Sequence, residues 1–129
     1  MSRHILIVED SELVSAALRL LFEEHGFRVS VADCAADAIA LASAGAPDLM
    51  LLDLALPDGD GLTVLETLRD RGLPIPTTVA LTGSDDPGTT ARCLACGCRE
   101  LMLKPVAPRE LVRRVTEYTR SGSLSGTDH

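Results

Sequence analysis

The run Leu49-Met50-Leu51-Leu52 ends in a carboxylate, Asp53. Four large apolar residues in a row, with Pro47 upstream and Pro57 and Gly59 downstream, read as a short strand buried on both faces and therefore central in a parallel sheet. In open parallel α/β sheets ligands gather outside the carboxyl ends of the strands, which makes Asp53 a candidate site residue. A solvated strand-end aspartate gives the same pattern, so this run alone leaves both readings open.

The 129-residue length fits one domain, which buries about two-thirds of its unfolded surface, enough for an ordinary core. Apolar residues make up 46% of the chain, yet no stretch approaches the roughly 18–20 residues needed to cross a bilayer. The opening Met1-Ser2-Arg3-His4 leads straight into a strand-like run rather than a signal peptide, so a cytoplasmic protein is expected. A net charge of −7 disfavours direct DNA binding, because the phosphate backbone must be met by Lys and Arg. Among the four cysteines, Cys93-x-x-Cys96-x-Cys98 resembles half a metal site, but no histidine lies near and Cys34 would have to complete it. The favoured reading is buried free thiols around Gly97, where a helix ends and a strand begins.

Ile5-Leu6-Ile7-Val8 repeats the opening pattern and ends in Glu9 and Asp10. Ser11 can cap a following helix whose Leu13, Val14, Ala17, Leu18, Leu21 and Phe22 share one face until Gly26. Phe27 to Val31 reads as a second strand and Ala35 to Ala44 as an alanine-rich helix. After the strand ending at Asp53 come a loop at Leu56-Pro57-Asp58-Gly59, a helix carrying Leu62, Leu65 and Leu68, and the strand Thr78-Val79-Ala80-Leu81. The segment Ser84 to Gly88 holds turn residues only and reads as a mobile loop. A helix from Thr89 to about Cys96 leads to the strand Glu100-Leu101-Met102-Leu103, which stops at Lys104-Pro105. Pro108 opens the last helix, with Leu111, Val112, Val115 and Tyr118 toward the core. Residues 1–120 are expected to form the domain, and the Gly- and Ser-rich residues 121–129 a tail or the start of a linker.

Strands alternating with helices through right-handed crossovers place every strand's carboxyl end on one rim. Glu9, Asp10, Asp53, Thr82 and Lys104 then face a common crevice. Three acids cannot share it unaided, and an all-oxygen set suits Mg²⁺. One ammonium and one hydroxyl beside a carboxylate are what a transferred phosphoryl group needs, with Asp53 as the nucleophile.

Four separated motifs, Ile5-Leu6-Ile7-Val8-Glu9-Asp10, Leu51-Leu52-Asp53-Leu54-x-Leu56-Pro57-x-x-Asp60-Gly61, Leu81-Thr82 and Lys104-Pro105, together resemble the CheY-like receiver domain of bacterial two-component response regulators. The resemblance spans about residues 3 to 120. It implies a flavodoxin-like (βα)5 doubly wound sandwich with a five-stranded parallel sheet in the order 2-1-3-4-5. It also implies that Asp53 accepts phosphate from a sensor histidine kinase or phosphotransfer protein. Asp10, Asp53 and the backbone carbonyl of Ala55 would bind Mg²⁺ with help from Glu9, Thr82 and Lys104 would contact the phosphoryl oxygens, and the Lys104–Pro105 peptide would be cis. Such a domain promotes its own phosphorylation and dephosphorylation and is not a dedicated enzyme.

Three positions depart in ways that matter. Leu101 stands three residues before Lys104, where many members of that family have an aromatic switch residue, and Ala55 and Ser84 are small where the family tunes water access to the acyl phosphate. A receiver-like module that docks or dimerises without phosphorylation is the alternative; the intact acids, Thr82 and Lys104 argue against it. Asp58 and Asp60 read as a turn and a helix cap, since no apolar strand precedes them and the closing glutamate of a calcium loop is missing. Arg109, Arg113, Arg114 and Arg120 read as a solvated face. The effector and any homodimer pairing stay open at this level, as does whether the domain stands alone.

Overall fold

The computed structural model describes residues 3–124. The apolar runs become strands β1 (His4–Val8), β2 (Arg28–Ala32), β3 (Leu49–Asp53), β6 (Thr77–Thr82) and β7 (Glu100–Leu103). They form one parallel sheet in the order β2-β1-β3-β6-β7. Numbered among themselves these strands follow 2-1-3-4-5, the expected doubly wound order. Strand β3 lies between β1 and β6 with all five residues buried. A hairpin of two-residue strands, β4 (Ala55–Leu56) and β5 (Gly59–Asp60), occupies the segment read as a loop.

Successive strand residues point to opposite faces, so each run feeds two cores. Leu6, Val8, Met50, Leu52 and Ala80 pack with α2 (Ala35–Ala44), α3 (Leu62–Asp70) and α4 (Pro87–Ala95). Ile5, Ile7, Leu49, Leu51 and Val79 pack with Phe22 of α1 (Glu12–Glu24) and with Leu111 and Val115 of α5 (Pro108–Leu124). The result is two helices on one face and three on the other, with a strand register set from both sides.

Three local readings need revision. The apolar face assigned to α1 is only partly buried: Phe22 is enclosed and Leu18 packs against the core, but Leu13 is 82% exposed and Val14 44%. Ser15 is buried in their place, its hydroxyl donating to the Glu12 carbonyl. Helix α4 begins at Pro87 rather than Thr89, so Pro87 and Gly88 belong to its first turn instead of a loop. The backbone of α5 continues to Leu124, past the expected boundary at 120, and residues 125–129 of the expected tail lie outside the described residues.

The cysteines separate. Cys34 caps α2, its Sγ accepting from the Asp37 amide, whereas Cys93, Cys96 and Cys98 are buried where α4 meets β7. All four are free thiols. Helix α4 ends with Cys98 N–H donating to the Cys93 carbonyl (3.1 Å), Gly97 N–H donating to Leu94 (3.1 Å) and Gly97 at φ +104°. This is a Schellman cap, in which the residues playing the accompanying apolar contact are Cys93 and Cys98.

Asp58, read as a turn residue, also holds α2: its carboxylate accepts from the amides of Ala35 (2.8 Å) and Ala36 (3.1 Å). These two bonds hold its carboxyl below the ordinary value of 3.8. A depressed carboxylate contributes stability above its unfolded pKa, and that contribution disappears as pH falls through the folded one. Asp58→Asn should therefore flatten the fall in Tm below about pH 4, checked by melting curves of both proteins from neutral to acid pH. An unchanged slope would mean that Asp58 does not carry this part of the acid response.

Candidate functional site

Each candidate side chain stands where a strand leaves the core, and the ladder continues past the strand to hold its backbone. The Glu9 amide donates to Ala32 O (2.9 Å), the Leu54 amide to Leu81 O (3.0 Å), and the Lys104 amide to Thr82 O (2.7 Å). Glu9, Asp53 and Thr82 are buried, Asp10 is exposed, and Lys104 is about one-third exposed along its side chain. The Lys104–Pro105 peptide is cis, as the resemblance implied.

The carboxylate of Asp53 is fixed at both oxygens. Oδ1 accepts from the Ala55 amide (3.0 Å) and Oδ2 from Lys104 Nζ (2.8 Å). Lys104, the chain's single lysine, also lies 3.8 Å from Glu9 Oε1. Burial works against its positive charge, but the hydrogen bond and charge of Asp53, with Glu9 and Asp10 beyond, outweigh it and hold the ammonium above the usual amine range. Burial pushes the Glu9 carboxyl up, the Ser11 amide on Oε2 (3.1 Å) opposes this, and the neighbouring Asp53 charge adds to it.

Carboxylate oxygens of Glu9, Asp10 and Asp53 come within 4.8 Å of one another. Three hard oxygen donors offset by one ammonium fit a small divalent cation such as Mg²⁺, which prefers oxygen ligands and keeps some of its water. Thr82 Oγ1 accepts from the Ser84 amide (3.1 Å), which leaves its own proton available to an oxygen in the crevice. Of the six residues expected at the site, Glu9, Asp10, Asp53 and Lys104 come together through their side chains, Ala55 meets Asp53 through its amide, and Thr82 ends β6 on the same rim.

Two residues matter more than their sequence suggests. Gly61 packs against the chain at Asp53: a Cβ there would lie 2.4 Å from the Asp53 carbonyl oxygen and 3.0 Å from Leu54 Cα. Asp60 caps α3 through Oδ1, which accepts from Leu62 N (2.9 Å), and pairs through Oδ2 with Arg92 Nη1 of α4 (2.6 Å). The cap was legible in the sequence, but the partner was not, because 32 positions separate the two charges.

A family model for the response regulator receiver domain matches residues 5–116. The chain belongs to this family. Among curated relatives, this receiver domain is 33% identical to the alkaline phosphatase synthesis transcriptional regulatory protein PhoP of Bacillus subtilis, over 97% of this chain and 52% of that protein. It is 40% identical to the swarming motility regulation protein RssB of Serratia marcescens, over 91% of this chain and 53% of that protein. The chain thus spans about half the length of the curated relatives it matches. Among solved structures, the BeF3-activated N-terminal receiver domain of Klebsiella pneumoniae RstA superposes with a TM-score of 0.81 at 30% identity, covering 91% of this chain and 98% of that one. A CheY-like receiver domain protein from Methanospirillum hungatei gives 0.87 at 25% identity, over 97% and 99%. Receiver domains of two-component response regulators generally use Mg²⁺ at an acidic pocket, and Glu9, Asp10 and Asp53 supply one here.

Gly61→Ala should cost about 1–3 kcal/mol, because the displaced atoms are backbone in the tightest part of the fold. Gly45→Ala, with nothing within 4 Å and an extended backbone, is the matched control and should change stability by less than about 0.5 kcal/mol. Urea unfolding of the two variants beside the parent checks this, and equal stabilities would show that the Asp53 segment yields easily.

Proposed function

We propose that Asp53 is the phospho-acceptor of this receiver domain, taking the phosphoryl group of a sensor histidine kinase or phosphotransfer protein. The convergence of a buried carboxylate, one ammonium, one hydroxyl and two further carboxylates at strand ends carries the reading. Asp10, Asp53 and the Ala55 carbonyl would hold Mg²⁺, with Glu9 helping, and the ion would supply charge neutralisation for the incoming phosphoryl group.

The chain's own residues have defined tasks in this reading. The Ala55 amide on Oδ1 and Lys104 on Oδ2 orient the Asp53 carboxylate, so that one of its oxygens forms a bond to phosphorus as the phosphorus–nitrogen bond to the donor histidine breaks and the imidazole leaves with the electron pair. Lys104 then compensates a phosphoryl oxygen in place of the free carboxylate oxygen, and the Thr82 hydroxyl donates to another. Because these groups act on the bound phosphoryl in both directions, the domain promotes its own phosphorylation and dephosphorylation without a separate substrate pocket. A docking module indifferent to phosphate would have no use for a buried aspartate paired with a lysine beside two more acids.

The remaining assignments follow composition and kinship. The folded domain is the signalling unit, which works in the cytoplasm and meets an effector through the surface that phosphorylation alters. With a net charge of −7 it makes no direct DNA contact, even though relatives such as PhoP are named transcriptional regulators. No helix among the described residues is long and apolar enough to cross a membrane.

Incubation with acetyl phosphate and Mg²⁺ should add one phosphoryl mass, labile to hydroxylamine and absent from Asp53→Asn and from metal-free samples, as read by intact mass spectrometry. A folded protein that stays unmodified by this donor and by histidine kinases would overturn the assignment. Phosphorylation adds roughly 1.5–2 negative charges beside Asp53 and should draw the Thr82 hydroxyl inward. Amide exchange across residues 84–96 is then expected to change when beryllofluoride and Mg²⁺ are added, and identical exchange in both states would sink that coupling.

A further inference from the structure

A cavity of about 270 Å³ lies between the β3–α3 segment and α4, with Ala55, Asp60, Thr82, Gly83 and Arg92 in its wall. Two of these belong to the site already described: the Ala55 amide holds Asp53 Oδ1, and Thr82 ends β6 beside it. Arg92 is the one basic side chain in the lining. Its position is fixed from below, because Asp60 is anchored at the start of α3 by the Leu62 amide and grips Arg92 Nη1 at 2.6 Å. One nitrogen of the guanidinium is engaged there. A guanidinium carries five N–H donors, and this side chain is 51% exposed, so the planar group keeps donors to offer beside the small residues Ala55 and Gly83.

Electrostatics gives that cation a task. An anionic phosphate donor approaches a protein of net charge −7 through a crevice holding three carboxylates, and Lys104 is committed to Asp53 and Glu9. Arg and a carboxylate or phosphate pair well, through short charge-assisted bonds of fixed geometry. We propose that Arg92 is a specificity-determining residue for small acyl phosphate donors, binding the carboxylate end that departs when Asp53 is phosphorylated. The inference rests on Asp53 being the phospho-acceptor. In the step, an Asp53 carboxylate oxygen forms a bond to phosphorus while the bond from phosphorus to the acyl oxygen breaks. The carboxylate leaves with the electron pair, no proton moves, and the new negative charge arises against the guanidinium.

Two donors separate this role from a structural one. Acetyl phosphate releases a carboxylate, whereas phosphoramidate releases ammonia and creates no anion for Arg92 to receive. Initial phosphorylation rates of the whole chain with Mg²⁺, followed by intact mass, should fall about fivefold or more in R92Q with acetyl phosphate while staying unchanged with phosphoramidate. R92K should recover much of the loss, and added salt should narrow the gap between parent and R92Q. Equal losses with both donors would reduce Arg92 to a support for α4 and overturn the proposal, as would parent rates in R92Q. A parent protein that takes phosphate from neither small donor would also overturn the proposal, and one that histidine kinases leave unmodified as well would remove the phospho-acceptor reading on which it stands.

Discussion

The contact between Lys104 Nζ and Asp53 Oδ2 at 2.8 Å is the interaction on which the rest of this structure depends. Asp53 and Glu9 are carboxylates almost closed off from solvent, and Asp10 reaches into the same space. Charges drawn out of water in that way are tolerated only when paired and hydrogen-bonded. A single ammonium serves two of them, and backbone amides of Ala55 and Ser11 serve the remaining oxygens. The balance is deliberately incomplete in charge terms, three against one, which is the condition under which a cation and a phosphoryl group find a ready place.

That contact joins residues 51 positions apart, and only the sheet can bring them together. Parallel strands from successive crossovers align their carboxyl ends, so β1, β3, β6 and β7 deliver Glu9, Asp53, Thr82 and Lys104 to one rim. Precision comes from burial below the rim. Leu51 and Leu52 of β3 are 1% and 0% exposed and face opposite cores, so a slip of one residue would exchange their environments and turn Asp53 into the hydrophobic layer. The core fixes the site by leaving β3 a single register.

This is also why the site was legible in the sequence. A charged residue ending an apolar run is informative even in isolation, and three such endings with the Thr82 hydroxyl, in the right order, define one rim. The parts that were not legible depend on contacts between segments. Leu13 and Val14 share a helical face with Leu18 and Phe22, but α1 turns a narrower stripe toward the sheet than hydrophobicity suggested, and the buried position goes to Ser15. Asp58 looked local because turns favour aspartate, yet its two oxygens hold the start of a helix more than twenty residues upstream. Gly61 carried a motif signal, but only coordinates show that a methyl group there would strike the Asp53 carbonyl.

Leu101 raises the question of how a change at Asp53 is carried outward without an aromatic ring. It is half-buried and packs in the core shared with Cys93, Cys96 and Cys98, so its own freedom to move is small. A different route is present in the backbone. Thr82 Oγ1 accepts from the Ser84 amide, Ser84 Oγ accepts from the Asp86 amide, and the Asp86 carbonyl accepts from the amides of Thr89 and Thr90 in the first turn of α4. Each bond ties the next by two to four residues, so reorienting the Thr82 hydroxyl breaks the first and releases the turn that the others hold. The Asp60–Arg92 pair tethers the same helix to the β3–α3 segment, which limits the motion to its first turns and to the loop before it. In the proposed reading the Thr82 hydroxyl itself, rather than a ring further along β7, would couple Asp53 to the start of α4.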